Sequence, residues 1–204
     1  MTSIIDFVIV FAVSMGFNLI PFAGPSNLLI ASNAALTMSN PDTATLLIIG
    51  LLVALASAIA KGVHYMVTFF VSGHLGEKRR QKLDTDAAKI KRWAFALLFI
   101  VAATPLPDEP VVIPLGLMKY SPVKFFGAYF LGKLTIAVAG AFLGNFAGDF
   151  LSAWFTPTQT LILSIVVSVV LTVVITIALF KVDWEKLQKR FVKPKPQKIE
   201  EKTI

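Results

Sequence analysis

The chain alternates long apolar runs with short polar breaks, and run length sorts the runs into two kinds. Residues 43–73, 123–148 and 158–180 are the long kind. At about 1.5 Å rise per residue, each covers the roughly 30 Å hydrocarbon layer of a bilayer. The last, TQTLILSIVVSVVLTVVITIALF, carries no charge; Lys61 and His64 interrupt the first and Lys133 the second. The remaining runs are shorter and come in pairs around a proline-rich break. Residues 3–20 lead into PFAGPSN, with Pro21 and Pro25, and a second apolar piece follows over 28–38. WAFALLFIVAA, 93–103, leads into a break holding Pro105, Pro107 and Pro110 around Asp108 and Glu109, and VVIPLGLM, 111–118, follows. A helix over 93–103 rises about 16 Å, half a bilayer.

Two short arms around a proline-rich tip predict a re-entrant hairpin, which enters the membrane and leaves on the same side. Backbone of this kind is tolerated at depth where protein or a water-filled cavity covers it. The competing reading is one kinked helix over 93–118. Three clustered prolines, each removing a helical hydrogen bond, weigh against it. For residues 3–20 a full span is the alternative to a hairpin arm. The plan then occurs twice. A hairpin over 3–38 precedes the helix with Lys61, and a hairpin over 93–118 precedes the helix with Lys133. Asp42, after Pro41, is the expected N-cap of the first long helix. The expected fold class is an all-α integral membrane protein. It has two inverted repeats, each a re-entrant helical hairpin plus a long transmembrane helix, followed by a C-terminal transmembrane helix. Residues 1–180 form one membrane domain and 181–204 a tail.

Charge gives the repeats their orientation. Of 204 residues 56% are hydrophobic and 15% charged, against roughly 25% charged in soluble domains. Residues 1–60 contain no Lys or Arg, whereas 74–92 hold seven of the 19 and 181–204 hold eight. Basic segments beside membrane helices stay in the cytoplasm. Loop 74–92 and the tail are therefore cytoplasmic in a multi-pass cell-membrane protein, with Asp42 and Asp149 outside. The first hairpin then dips from outside and the second from the cytoplasm. This placement accounts for the net charge of +7 without nucleic acid. In the tail, Trp184, Leu187 and Phe191 share one helical face among lysines, as in a segment lying on an anionic surface or simply solvated.

The absence of cysteine removes disulfides, Fe–S clusters and thiol chemistry. His64 and His74 lack zinc-ligand spacing. No metal, cofactor or nucleophile–base set is expected, so an enzyme is not. The N-terminus has no positive segment before its apolar stretch and reads as retained.

What remains is the set of charges inside apolar runs. A charged side chain at mid-bilayer costs about 2.5–3.5 kcal/mol on insertion scales. Asp108, Glu109, Lys61 and Lys133 are therefore expected to pair, one carboxylate with Lys133 and the other with Lys61. They would surround a polar cavity for a substrate or protons, or form a structural ion pair locking two helices. His64, three residues from Lys61, either lines this cavity or bonds a neighbouring helix. Ser26, Asn27 and Asn33 offer uncharged hydrogen bonds, with a helix cap the alternative for Asn27. Free N–H groups at the hairpin tips can hold a carboxylate or phosphate. The glycines of 127–148 suit close helix packing.

The segments PFAGPSNLLI and TPLPDEPVVIPLGLMKYSPVKFFGAYFLGK resemble the two re-entrant hairpins of DedA/VTT-domain membrane proteins, also called SNARE-associated Golgi proteins. The resemblance covers about residues 15–150. The chain is also similar to proteins described as small multidrug exporters. The family resemblance implies a flippase- or scramblase-like lipid transporter: bacterial members are linked to recycling undecaprenyl phosphate, eukaryotic ones to phospholipid scrambling. It also implies that the hairpins build the headgroup site. The sequence departs from the family pattern at both tips. Asn27 stands where many members have an acid in a PSE-like setting. Asp108 and Glu109 stand where many bacterial members carry arginines, and no arginine lies between Trp93 and Arg190. A phosphate would then be met by Lys61, Lys133 and helix ends. The expected function is transport of an anionic lipid, a polyprenyl phosphate or a phospholipid, with proton coupling open through Asp108 and Glu109. The alternative is proton-coupled export of small soluble or cationic compounds. Membrane lipids are the expected partners, and a homo-oligomer is left open.

Overall fold

The computed structural model describes residues 3–21, 24–38, 40–74 and 92–181. Most of the basic loop and nearly all of the tail lie outside these residues, and so do the expectations for Trp184, Leu187 and Phe191. All regular structure among the described residues is helical. In chain order the elements are α1 (Ile4–Leu19), α2 (Asn27–Thr37) and α3 (Thr43–Val71), which ends in a 3₁₀ turn over Ser72–His74. They continue with α4 (Ala94–Ala102), α5 (Glu109–Leu117), α6 (Pro122–Leu151) and α7 (Pro157–Lys181).

Local chemistry sets the helix ends. Ser3 and Asp6 form a capping box at α1, each side chain accepting from backbone near the other. The Asp42 carboxylate accepts from the Thr45 N–H at 2.9 Å and starts α3. Pro122 opens α6, where its missing N–H is no loss. That helix runs three residues beyond the expected 148 and takes in Asp149, which the sequence places in a connection. Asp149 is exposed in the last turn, so the extension buries no charge. α5 ends in a Schellman turn. Tyr120 N–H donates to the Leu115 carbonyl and Lys119 N–H to the Gly116 carbonyl, both at 3.0 Å. Lys119 takes the left-handed conformation this requires, with φ 49°, and Asn40, just after α2, has the same φ.

The long helices α3 and α6 pack together at the centre. α1 lies on α3, and α4 lies on α6, the long helix of its own half. The second short helices cross over: α2 packs on α6, and α5 packs on α3. Small residues permit these approaches. At Gly140 and Gly144 the backbone of α6 meets that of α2 at Leu28 and Ser32, and Ser32 Oγ donates to the Gly140 carbonyl at 2.7 Å. A Cβ on Gly132 would lie 2.6 Å from the Phe99 carbonyl of α4.

Two apolar cores result. One gathers Val10, Ile30, Ile49, Val53 and Ala141. The other gathers Tyr65, Leu98, Val112, Leu115, Phe125 and Tyr129. A polar band lies between them, where α3 passes through Ser57 and Lys61 and α6 through Tyr129 and Lys133. Outward faces are strongly apolar: Leu51, Val67 and Phe70 on α3, Phe142 and Phe146 on α6, and Ile162, Val166 and Val170 on α7 are all exposed. Exposed apolar surface of this extent marks contact with lipid, and α3 and α6 are long and apolar enough to cross a membrane. α7 rests on α2. Asn33 Nδ2 donates to Ser168 Oγ at 2.8 Å, and Ser164 Oγ donates to Asn33 Oδ1 at 2.6 Å.

Candidate functional site: a buried charge cluster between two helix breaks

The second short helix of each half begins at a matching tripeptide, although the N-cap backbones differ: Ser26 is extended (φ −64°, ψ 151°) and Asp108 helical (φ −102°, ψ −8°). Pro25–Ser26–Asn27 opens α2 and Pro107–Asp108–Glu109 opens α5. Ser26 and Asp108 are the N-cap residues, and Asn27 and Glu109 the first helical residues. Neither N-cap side chain bonds a backbone N–H of its own helix. Both are left to face other elements.

At the second break, the carboxylates meet lysines from both long helices. Asp108 and Glu109 are each 3% exposed, Lys61 4% and Lys133 5%. Lys133 Nζ lies 2.9 Å from Asp108 Oδ2, and Lys61 Nζ lies 3.6 Å from Asp108 Oδ1. Lys61 also pairs directly with Glu109 Oε1. Asp108 thus bridges the two lysines, and two positive charges face two negative ones. Burial this deep is tolerable because every charge has an opposite partner. The Tyr129 hydroxyl donates to Asp108 Oδ2, and Lys133 Nζ sits 5.3 Å from the Tyr129 ring centre.

Polar contacts continue from this cluster to the first break. Ser57 Oγ is 3.3 Å from the Tyr129 hydroxyl and donates to Asn18 Oδ1 at 2.8 Å. Asn18 Nδ2 donates to Asn27 Oδ1 at 3.1 Å and to the Ser14 carbonyl at 2.8 Å. A hydroxyl has one proton to give. With Tyr129 donating to Asp108 and Ser57 donating to Asn18, neither is left for the 3.3 Å contact. That contact becomes a hydrogen bond when Tyr129 turns its proton away from Asp108.

The breaks border a partly open cavity of about 60 Å³, room for a few waters, since one needs at least about 10–15 Å³. Ser26, Asn27, Lys61, Asp108, Glu109 and Lys133 all line it, with Pro25, Pro105 and Pro107. Pro21 and Pro110 are not among its walls. His64 is not either: Nε2 lies 3.1 Å from the Leu19 carbonyl, at the end of α1. Asn33 faces α7 instead. Two buried polar atoms at the first break, Ser26 Oγ and Asn27 Nδ2, have no hydrogen-bond partner among the described residues. The sequence reading gave no role to Tyr129, Ser57 or Asn18. The missed signal is spacing: Ser57 and Tyr129 each precede a buried lysine by four residues, so each pair shares a helix face.

A family model for the VTT domain matches residues 24–146, more than half of the chain. The chain belongs to the VTT-domain family, the DedA/SNARE-associated Golgi proteins. No curated protein and no solved structure gives a significant match. The VTT match begins at the first break and ends beyond Gly144, so it takes in both breaks and all four buried charges. It leaves α1 and α7 outside. VTT-domain proteins are in general membrane proteins of transporter type, which agrees with the two membrane-length helices and the lipid-facing surface.

Proposed function

We propose that this VTT-domain protein moves an anionic lipid, a polyprenyl phosphate or a phospholipid, between membrane leaflets in a flippase- or scramblase-like way. The observation that carries the reading is the balanced cluster of Lys61, Glu109, Asp108 and Lys133 lining a cavity where two helix breaks meet. In this reading α1–α2 and α4–α5 are re-entrant hairpins of two inverted repeats, with the basic loop and tail in the cytoplasm. The matching Pro25–Ser26–Asn27 and Pro107–Asp108–Glu109 tripeptides that open α2 and α5, and the exchange of long helices between the halves, support it. Transporters built on inverted repeats place substrate sites at such broken helices.

The charge count suggests coupling. With both acids ionised the cluster is neutral and offers an anion no net attraction. A proton on Asp108 or Glu109 leaves one lysine charge uncompensated, and an anionic head can take it. A protonated Asp108 can also donate to Tyr129. Tyr129 can then donate to Ser57, passing the change toward Asn18 and Asn27. The anion and a proton therefore travel together.

The test is leaflet exchange of a labelled anionic phospholipid in vesicles holding the full chain. Exchange faster than in empty vesicles is expected, with loss of most of it in Lys133→Met. No acceleration by folded protein overturns the reading. The small size of the cavity favours a second reading, proton-coupled export of a small soluble or cationic compound. That reading is recognised by pH-gradient-driven flux of a water-soluble cation that Asp108→Asn abolishes.

A further inference from the structure

Beside the charged cavity lies a much larger space of a different character. A groove of about 650 Å³ runs between α1, α2 and α7, walled by residues such as Val13, Ile30, Ile165 and Val169. Phe17, Pro25, Leu29 and Thr172 line both spaces, so the groove adjoins the cavity. The two differ in how their polar atoms are satisfied. In the groove, Asn33 is bonded on both sides by Ser164 and Ser168. The hydroxyl of Thr37 bonds the Ala34 carbonyl and that of Thr172 the Ser168 carbonyl. Nothing there asks for a polar ligand. At the cavity end, Asn27 is 2% exposed and its Nδ2 is unpartnered, as is Ser26 Oγ. Both sit at the N-terminus of the 11-residue α2, where free N–H groups and the positive end of the helix dipole favour an anion.

We infer that this groove holds the hydrocarbon chain of the same amphiphile whose anionic head meets Ser26 and Asn27. The inference rests on the lipid-transport reading and adds the place and orientation of the bound molecule. The chain lies along the apolar walls with every nearby polar atom already paired. The head lies where donors are unmet, next to Lys61 and Lys133. α7 forms one wall, held on α2 by the Asn33 clasp, so the groove is bounded by a helix outside the VTT match.

The test uses full-length protein in vesicles with a phosphatidic acid carrying a diazirine on its acyl chain, and a diacylglycerol with the same chain as the neutral control. After irradiation, crosslinks from the phosphatidic acid are expected to concentrate on Val13, Leu29, Ile165 and Val169. Phe70 and Phe146, exposed on other faces, should take far fewer. Asn27→Asp, which replaces the donor with a negative charge, should weaken groove labelling by the phosphatidic acid about tenfold, as the loss of a hydrogen bond to a charged group predicts. Ile165→Trp, which fills the groove without touching the cavity, should reduce it as well. Equal labelling of groove and control faces, or equal labelling by the neutral lipid, overturns the inference. Leaflet exchange measured in the same vesicles separates the two ideas. Exchange without groove enrichment removes the groove site and leaves transport standing. Enrichment without exchange keeps the binding site and removes transport.

Discussion

At Asp108, one carboxylate answers two ammonium groups from different helices, so its removal does more than delete a hydrogen bond. Asp108→Asn leaves Lys133 buried without an ionised partner, a change that in buried pairs costs about 3–5 kcal/mol. The double variant Asp108→Asn/Lys133→Met removes the orphan charge and is expected to recover most of that loss. Thermal unfolding in detergent checks this. A double variant no more stable than the single would mean Lys133 draws no stability from Asp108. The four charges were legible because an ionised side chain inside an apolar run must find a partner. Tyr129 and Ser57 were missed, because a four-residue spacing from a buried lysine shows a shared helix face without showing that Asp108 and Asn18 lie against it. For His64 the sequence left two readings, the cavity or a neighbouring helix, and its ring meets the Leu19 carbonyl at the end of α1.

The short helices are the elements on which the site depends, and they are positioned by backbone contact. A side chain at Gly144 would run into the Ser32 backbone of α2. Gly144→Leu is expected to push α2 from α6 and lower stability by about 1–3 kcal/mol, as overpacking does. Half-buried Gly127, with open space where its Cβ would go, should tolerate Ala. Unfolding midpoints of the two variants test the difference. The helix-start chemistry gives a pH prediction. Hydrogen bonds from Thr45 hold the exposed Asp42 carboxyl below its ordinary value. A lowered folded pKa means the cap contributes above the ordinary carboxylate value and loses its contribution as pH falls through the lowered one. Asp42→Ala should therefore lower stability at neutral pH and flatten the acid limb of the stability curve. Run lengths made the short arms legible, and the glycines announced a packing face. The exchange of partners between halves was not legible, because a glycine shows that a helix comes close without showing which one.

For the molecule as a whole, the proposed direction in the bilayer is open to direct measurement, because the chain has no cysteine. Single cysteines at Thr43 and Asp149 should react with an impermeant thiol reagent from outside. One at Lys124 should react only from the cytoplasmic side. Labelling of Thr43→Cys and Lys124→Cys from one face would contradict the inverted arrangement. Orientation was drawn from the spread of basic residues, and seven of those lie in the loop between the halves. The family was legible from the two tips, whereas the adjoining groove was not, since α1, α2 and α7 come from distant parts of the chain.

The pairing of Lys61 with Glu109 spans 48 residues, and this separation bears on how the protein is made. Synthesis runs from the N-terminus, so α3 reaches the membrane while its counter-charges are still inside the ribosome. Until α5 arrives, a lone ammonium must be sheltered by water, by the insertion machinery or by snorkelling to the surface. The first half is thus an unfinished object in the bilayer, and a nascent chain halted before Asp108 presents quality control with an uncompensated charge.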